Sequence, residues 1–426
     1  MRPLFWFTDY SPILYWYVIH FLCSIIGMAG CWALSYKLTK QSMLAWVGML
    51  ILMLSGTTNF DIIPYNDNYL LIMLWPWSIF CFLHAIERDS RFWILFGLLG
   101  GLSLMAKYSS AAVIFPPILC TFFSLRIRKH YRQPWIWLGW GVGLLLTIPN
   151  LFWLLEHNFA AYHWVSSEIK QGVNAHALIS IVCVFYPLAF LVGYLYRKGG
   201  KLCWPTGYIQ LIAVVCYVPV LFFIIIWFSL FDGGRLTEWL QPFMILGPAI
   251  VFACLSDPTD VLPGKKIIGC LSIFGLMVAI GYAAVMVGNV SNAGKKMRGI
   301  SIFSRHLESK WESLYGRPLR FVGGERLSQW ITLYASSAPE TVTRWDNDNH
   351  PNVYNSHISS EDILRDGVLL VGNPGERCPS TVLLNFQQQW GSIPITFMEN
   401  TLFQEDEQSA VQWICIGYVQ PEISTR

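Results

Sequence analysis

Two carboxylates, Asp61 and Asp67, sit in the polar stretch Asn59–Asn68 (Asn-Phe-Asp-Ile-Ile-Pro-Tyr-Asn-Asp-Asn), caught between two apolar runs of membrane length. A carboxylate held at a membrane surface can take the proton of an attacking hydroxyl, provided that it stays ionised and within reach. Asp67 stands directly before the apolar run Tyr69–Ile86, and Asn66 and Asn68 flank it with amides that could orient it. The same position suits a helix cap, for which Asp and Asn are favoured because their side-chain oxygens accept from free backbone N–H groups. Both readings stand at this level. Asp61 reads as loop solvation.

Two cations complement these carboxylates. Lys107, in Met105-Ala106-Lys107-Tyr108, closes a Gly-rich apolar run that holds Gly97, Gly100 and Gly101. Arg235 stands in Asp232-Gly-Gly-Arg-Leu-Thr-Glu238, with Asp232 or Glu238 as a salt-bridge partner. An ammonium is a compact phosphate partner, and snorkelling to the interface is the other common use of such a side chain. His157 and His163 are six residues apart and lack a convincing third ligand, so a metal site is not expected. Trp and His at a membrane boundary serve as interfacial anchors. The absence of Gly-x-Ser-x-Gly, a Walker loop and Cys-x-x-Cys lowers the serine hydrolase, ATPase and thiol oxidoreductase readings.

The elements that must hold these residues are membrane helices. The 426 residues are 54% hydrophobic and only 13% charged, with 20 Trp, against about 25% charged residues in soluble domains. A net charge of +3 without basic blocks interleaved with aromatics gives no sign of nucleic-acid binding. Apolar runs predict about ten spans, at 12–36, 42–56, 69–86, 92–106, 110–125, 134–155, 176–196, 205–230, 237–255 and 267–288. Residues 1–288 thus read as a transmembrane domain and 289–426 as a soluble one.

Basic residues accumulate in cytoplasmic loops. Alternate connections carry Lys37 and Lys40; Arg88 and Arg91; Arg126, Arg128, Lys129 and Arg132; Arg197, Lys198 and Lys201; Lys265 and Lys266. The opposite set carries only Lys107, Lys170 and Arg235. The expected orientation therefore places Asn59–Asn68, the long loop Glu156–Ala175, Asp232–Glu238 and the tail outside. The same bookkeeping expects one more span upstream of residue 12.

In the tail, Leu319–Gly323, Thr341–Trp345, Gly367–Gly372 and Val411–Val419 read as strands, with helices at Glu325–Ser336 and Ser359–Arg365. This alternation predicts a small α/β sandwich with a largely parallel sheet. Gly323-Gly324 lacks the rest of a nucleotide-binding loop and reads as a tight turn. Of eleven Cys, only Cys378 and Cys415 lie in the tail. An extracytoplasmic compartment permits a bridge between them.

The order Tyr65-Asn-Asp67-Asn, a span, then Arg91-Phe-Trp-Ile-Leu-Phe-Gly-Leu-Leu-Gly-Gly-Leu-Ser-Leu-Met-Ala-Lys107-Tyr108 resembles the bacterial family 39 glycosyltransferases. These are relatives of the dolichyl-phosphate-mannose protein mannosyltransferases and of the lipid A aminoarabinose transferases. Pro149-Asn-Leu-Phe-Trp153-Leu-Leu-Glu-His157, Glu238-Trp239-Leu-Gln-Pro242, Phe321-Val-Gly-Gly and Gly367-Val-Leu-Leu-Val are similar to later signposts of that family. The resemblance implies a polytopic C-type fold in the bacterial inner membrane. It implies transfer of a hexosyl or pentosyl group from a polyprenyl-phosphate donor to a lipid, glycan or protein acceptor at the outer face, with no cofactor. Asp67 then matches a catalytic acidic site, Lys107 and Arg235 would hold the donor phosphate, and Asn66, Asn68, Tyr108, His157, His163 and Glu238 are substrate-site candidates.

The family normally opens with a span and an outer loop carrying a paired Asp-Glu. Here Asp9, in Thr8-Asp9-Tyr10, is a lone carboxylate at the wrong place in the pattern. The expectation is either a misassigned start or a truncated, inactive relative. A non-catalytic membrane scaffold and a lipid or sugar transporter remain the alternatives, although transporters favour internal repeats and charges within spans.

Overall fold

The computed structural model describes residues 12–55, 68–156, 159, 162, 170–171, 175–232, 239–259, 261, 263–342, 355, 357–391, 393–405 and 409–422. The chain divides into two compact units, residues 1–156 with 164–286, and residues 157–163 with 287–426.

The first unit is helical because its sequence offers long apolar runs and little else. Its helices are α1 (Pro12–Thr39), α2 (Ser42–Ile51), α3 (Asn68–Glu87), α4 (Phe92–Ala106), α5 (Ala111–Phe123), α6 (Pro134–Glu156), α7 (Ala175–Arg197), α8 (Tyr208–Leu230) and α9 (Gly247–Ala253). The next helix, α10 (Lys265–Tyr315), begins in this unit and ends in the other.

Every apolar run falls on a helix, but the count of about ten spans does not follow from length. Among the described residues, five helices are long and apolar enough to cross a membrane, or six if the bent pair Tyr108–Phe123 and Leu125–Arg132, meeting at 85°, is one span. Ser42–Leu54, Phe92–Ala106 and Gln241–Ala253 are shorter apolar helices. The 15 residues of α4 cover about 22 Å at ~1.5 Å per residue, less than the ~30 Å of a bilayer core. The run 237–255, described from residue 239, is helical at 239–240 and continues as a 3-10 turn through Leu246 followed by α9. The run 267–288 is part of a longer helix.

Glycines decide how α4 meets α6. Gly97 and Gly101 on one, Gly139 and Gly143 on the other, repeat at four-residue spacing, which lets helix backbones touch. A Cβ on Gly97 would overlap the Gly139 carbonyl, and one on Gly139 would overlap the Trp93 carbonyl. Both helices therefore run in the same direction with their backbones in contact. On α6, Leu145, Phe152 and Leu155 are exposed, as lipid-facing side chains are. Lys37, counted as a loop charge from sequence, belongs instead to the buried end of α1 and pairs with Glu87 at 2.6 Å.

The second unit holds a five-stranded sheet built from β3 (Phe321–Gly324), β4 (Glu340–Thr341), β5 (Val368–Val371), β6 (Phe397–Phe403) and β7 (Gln412–Val419), in the order β4-β3-β5-β7-β6. The two-residue strands β1 (Lys170–Gln171) and β2 (Phe231–Asp232) pair antiparallel in the first unit. In the larger sheet, β4, β3 and β5 are parallel, whereas β7 is antiparallel to both β5 and β6. The sheet is mixed, which corrects the largely parallel expectation. Two elements escaped the sequence reading, the helix α13 (Thr381–Gln389) and the edge strand β6. Helices α11 (Arg326–Tyr334) and α12 (Ser360–Asp366) fall where expected. The second expected strand, Thr341–Trp345, is described only as far as residue 342, where Glu340–Thr341 form β4, and residues 343–354 lie outside the described ones.

Both sheet faces are covered. Ile300, Phe303, Leu307 and Trp311 of α10 pack with Leu327 and Ile331 of α11 against Val322, Leu369 and Ile416. Ile363 of α12 and Val382, Leu383 and Phe386 of α13 pack against Phe321, Val368 and Leu370. Gly324 closes β3 at φ +146, a conformation that L side chains avoid. Cys378 and Cys415 form a disulfide, their Cα atoms 4.9 Å apart. A cross-link over 37 residues contributes about 3–4 kcal/mol in the chain-entropy account.

The Lys310 ammonium donates to both Glu399 carboxylate oxygens at 2.5 Å, and the Tyr418 hydroxyl donates to Oε1 at 2.7 Å. Burial pushes the Glu399 carboxyl up, but the bonds from Lys310 and Tyr418 outweigh it and hold the group below its ordinary range. A depressed carboxyl contributes stability that is present above its unfolded pKa and lost as pH falls through its folded pKa. Protection of the β6 and β7 amides against hydrogen exchange, corrected for intrinsic rates, is expected to hold from neutral pH to about 5 and to fall below about 4.3. In Lys310→Met that acid dependence shrinks. An unchanged profile in the variant removes the pair as its source.

Candidate active site at a helix break

Helix α4 ends at Ala106 because Lys107 leaves the helical region, at φ −161 and ψ 133. The chain then makes a single 3-10 turn, Tyr108–Ser110, before α5 starts. Hydrogen bonds fix this break. The Lys107 N–H donates to Ser103 O at 3.0 Å, the Ser110 N–H donates to Lys107 O at 3.0 Å, and the Ser110 hydroxyl donates to Ser103 O at 2.8 Å. Trp75 on α3, fully buried, donates its indole N–H to the Ser110 hydroxyl at 3.1 Å.

The break presents Lys107 to the start of α3. Its Nζ donates to Asn68 Oδ1 at 3.0 Å, and Asn68 Nδ2 donates to Gln241 Oε1 at 3.3 Å. Asn68 is 0% exposed and Gln241 8%, while Lys107 is half-buried. Instead of lying in a hydrated loop, Asn68 is the first residue of α3, with its amide between a cation and a second amide. Of the sequence candidates, the structure brings Asn68 and Lys107 together across 39 residues. Asn66, Asp67, His157, His163, Arg235 and Glu238 lie outside the described residues.

Tyr108 turns elsewhere. Its hydroxyl donates to Asn150 Oδ1 on α6 at 2.5 Å, at one end of a cavity of about 570 Å³ between α4, α5 and α6. Phe96, Gly100, Leu104, Phe115, Ile118 and Leu151 make its wall almost wholly apolar, and Tyr108, Thr147 and Asn150 supply the polar groups. Sequence reading missed Gln241 and Asn150. Each lies inside a quoted stretch, Glu238–Pro242 and Pro149–His157, but nothing local marks either as facing a candidate. Among the described residues, no three His, Cys, Asp or Glu side chains could hold a metal ion together.

Residues 11–153, which include α3, the Lys107 break and most of the cavity wall, match the dolichyl-phosphate-mannose-protein mannosyltransferase family. Over that third of the chain, the sequence is similar to the family 39 glycosyltransferases. The chain is 24% identical over 236 residues to the lipopolysaccharide core galacturonosyltransferase RgtB of Rhizobium johnstonii, a match covering 50% of this chain and 45% of that protein. It thus spans about half the length of the curated relative it matches. Its fold is similar to that of ArnT from Cupriavidus metallidurans, a structure bound to undecaprenyl phosphate, with TM-score 0.58 and 11% identity over 94% of this chain and 83% of that one. The apo structure of the same protein gives TM-score 0.54 with the same identity and coverage. At this identity the likeness is one of fold.

Proposed function

We propose that the protein is a glycosyltransferase of the bacterial inner membrane that takes a hexosyl or pentosyl group from a polyprenyl-phosphate donor. It passes the sugar at the outer face to a lipid, glycan or protein hydroxyl. The observation that carries this reading is the Lys107 ammonium held on Asn68 at a helix break, directly beside Tyr108 at the polar end of an apolar cavity. A donor of this class is a long apolar chain ending in a phosphate, and it needs those two environments side by side.

In this reading Asp67 takes the proton of the acceptor hydroxyl as its oxygen attacks the anomeric carbon. The bond from that carbon to the phosphate oxygen breaks, and the electron pair leaves with the polyprenyl phosphate. Lys107, joined by Arg235, stabilises the negative charge growing on that phosphate. Asn66, His157, His163 and Glu238 contribute to the sugar and acceptor side. Residues 1–288 form the catalytic membrane domain and 289–426 an extracytoplasmic α/β domain. The Cys378–Cys415 disulfide supports that side, because such bonds persist in oxidising compartments.

Membranes from cells with and without the protein test the activity. Mass spectrometry of their lipid extracts is expected to show one glycosyl-polyprenyl phosphate depleted and free polyprenyl phosphate enriched where the protein is present. Identical lipid profiles overturn the transferase reading.

A further inference from the structure

We infer that Gln241 is a positioning residue, which acts through the Asn68 amide to aim the Lys107 ammonium at the donor phosphate. The inference rests on the phosphate-binding reading of Lys107. A carboxamide has an accepting end and a donating end. With Asn68 Oδ1 toward Lys107 and Nδ2 toward Gln241, donors meet acceptors along the whole chain. Flipped by half a turn, the amide would set its N–H groups against an ammonium that can only donate. The ammonium thus fixes Oδ1 toward itself, and Gln241 Oε1 accepts the N–H that this orientation leaves on the far side. Burial makes the selection count, because Asn68 is 0% and Gln241 8% exposed, and a buried amide favours the orientation in which both its ends are satisfied.

Gln241 is itself held firmly. It opens the 3-10 turn Gln241–Leu246, all six residues of which are buried. Phe243, two residues on, packs edge-on against Trp75 with ring centroids 4.9 Å apart, and the Tyr217 hydroxyl donates to Phe243 O at 2.8 Å. Trp75 in turn bonds Ser110 in the break that presents Lys107. Helix α3, the Lys107 break and the Gln241 turn are thus locked as one triangle. The bond to Asn68 spans 173 residues and ties the stretch that follows Glu238 to the residue that follows Asp67. A role confined to packing would leave Leu as good as Gln at this position.

The test is a double-mutant cycle on the full-length protein in detergent, with undecaprenyl phosphate as the probe and its dissociation constant as the readout. Gln241→Leu removes the acceptor at similar volume. Gln241→Asn, one methylene shorter and still polar, breaks the same bond if the Leu variant fails to fold. Each is expected to weaken binding by about tenfold, the scale of one lost bond to a buried partner. In the Lys107→Met background the same Gln241 substitution is expected to add no further loss. An equal loss in both backgrounds, or none in either, overturns the positioning role while leaving the phosphate reading intact. If Lys107→Met alone leaves the dissociation constant unchanged, the phosphate reading falls and the inference falls with it.

Discussion

Asp67→Asn is expected to leave the protein folded and inserted while slowing sugar transfer by about 10²–10⁴-fold, the range lost with a general base. Asp67 immediately precedes the first residue of α3, which is where a cap stands. A cap needs only an acceptor oxygen, and Asn supplies one, so the substitution spares that role; Asp67→Ala removes it and costs about 0.5–2 kcal/mol of stability. A base needs the negative charge, which Asn lacks. Transfer of radiolabelled sugar to membrane acceptors gives the rate, and the thermal midpoint gives the stability. Normal expression with a wild-type rate in Asp67→Asn would return the residue to capping alone.

Lys107→Met is expected to weaken undecaprenyl phosphate binding by about 10–100-fold, because a charge-assisted bond contributes about 1.5–3 kcal/mol. The thermal midpoint should also fall, because Met keeps the apolar stem but withdraws the ammonium from the buried Asn68 oxygen, so binding is compared on the folded protein. Arg235→Met should act in the same direction. Binding measured with both variants separates the two uses of such a cation. A side chain that merely snorkels binds no phosphate, so unchanged dissociation constants in both would return Lys107 and Arg235 to that role.

Local sequence already made Asn68, Lys107 and Tyr108 candidates, because a polar residue at the end of an apolar run is conspicuous. Their partners were not legible. Gln241 follows Trp239 and Leu240 and precedes Pro242 and Phe243, and its only local signal is polarity within an apolar stretch. Asn150 follows a proline inside α6 and reads as a helix irregularity. The soluble unit shows the same divide. Gly-Val-Leu-Leu-Val-Gly at 367–372 announces a buried strand, and β5 is fully buried. The strand β6, Phe-Met-Glu-Asn-Thr-Leu-Phe, alternates in burial from Met398 on, but its inner positions hold Glu399 and Thr401 before Phe403, so the apolar residues carry no period of two to detect.

The sequence by itself determined that this is a multi-pass membrane protein with an α/β unit, and where most of its apolar helices lie, because apolar length and strand-like runs are properties of neighbouring residues. Only the tertiary structure decided that α4 and α6 touch through Gly97 and Gly139, that β7 turns the sheet from parallel to mixed, and that Lys107, Asn68 and Gln241 form one chain of hydrogen bonds. Those outcomes depend on which surfaces meet across 39 to 173 residues. Hydrogen-bond complementarity and close packing between distant segments set them, and local sequence does not name the partner segment even where, as at Gly97 and Gly101, it shows a period.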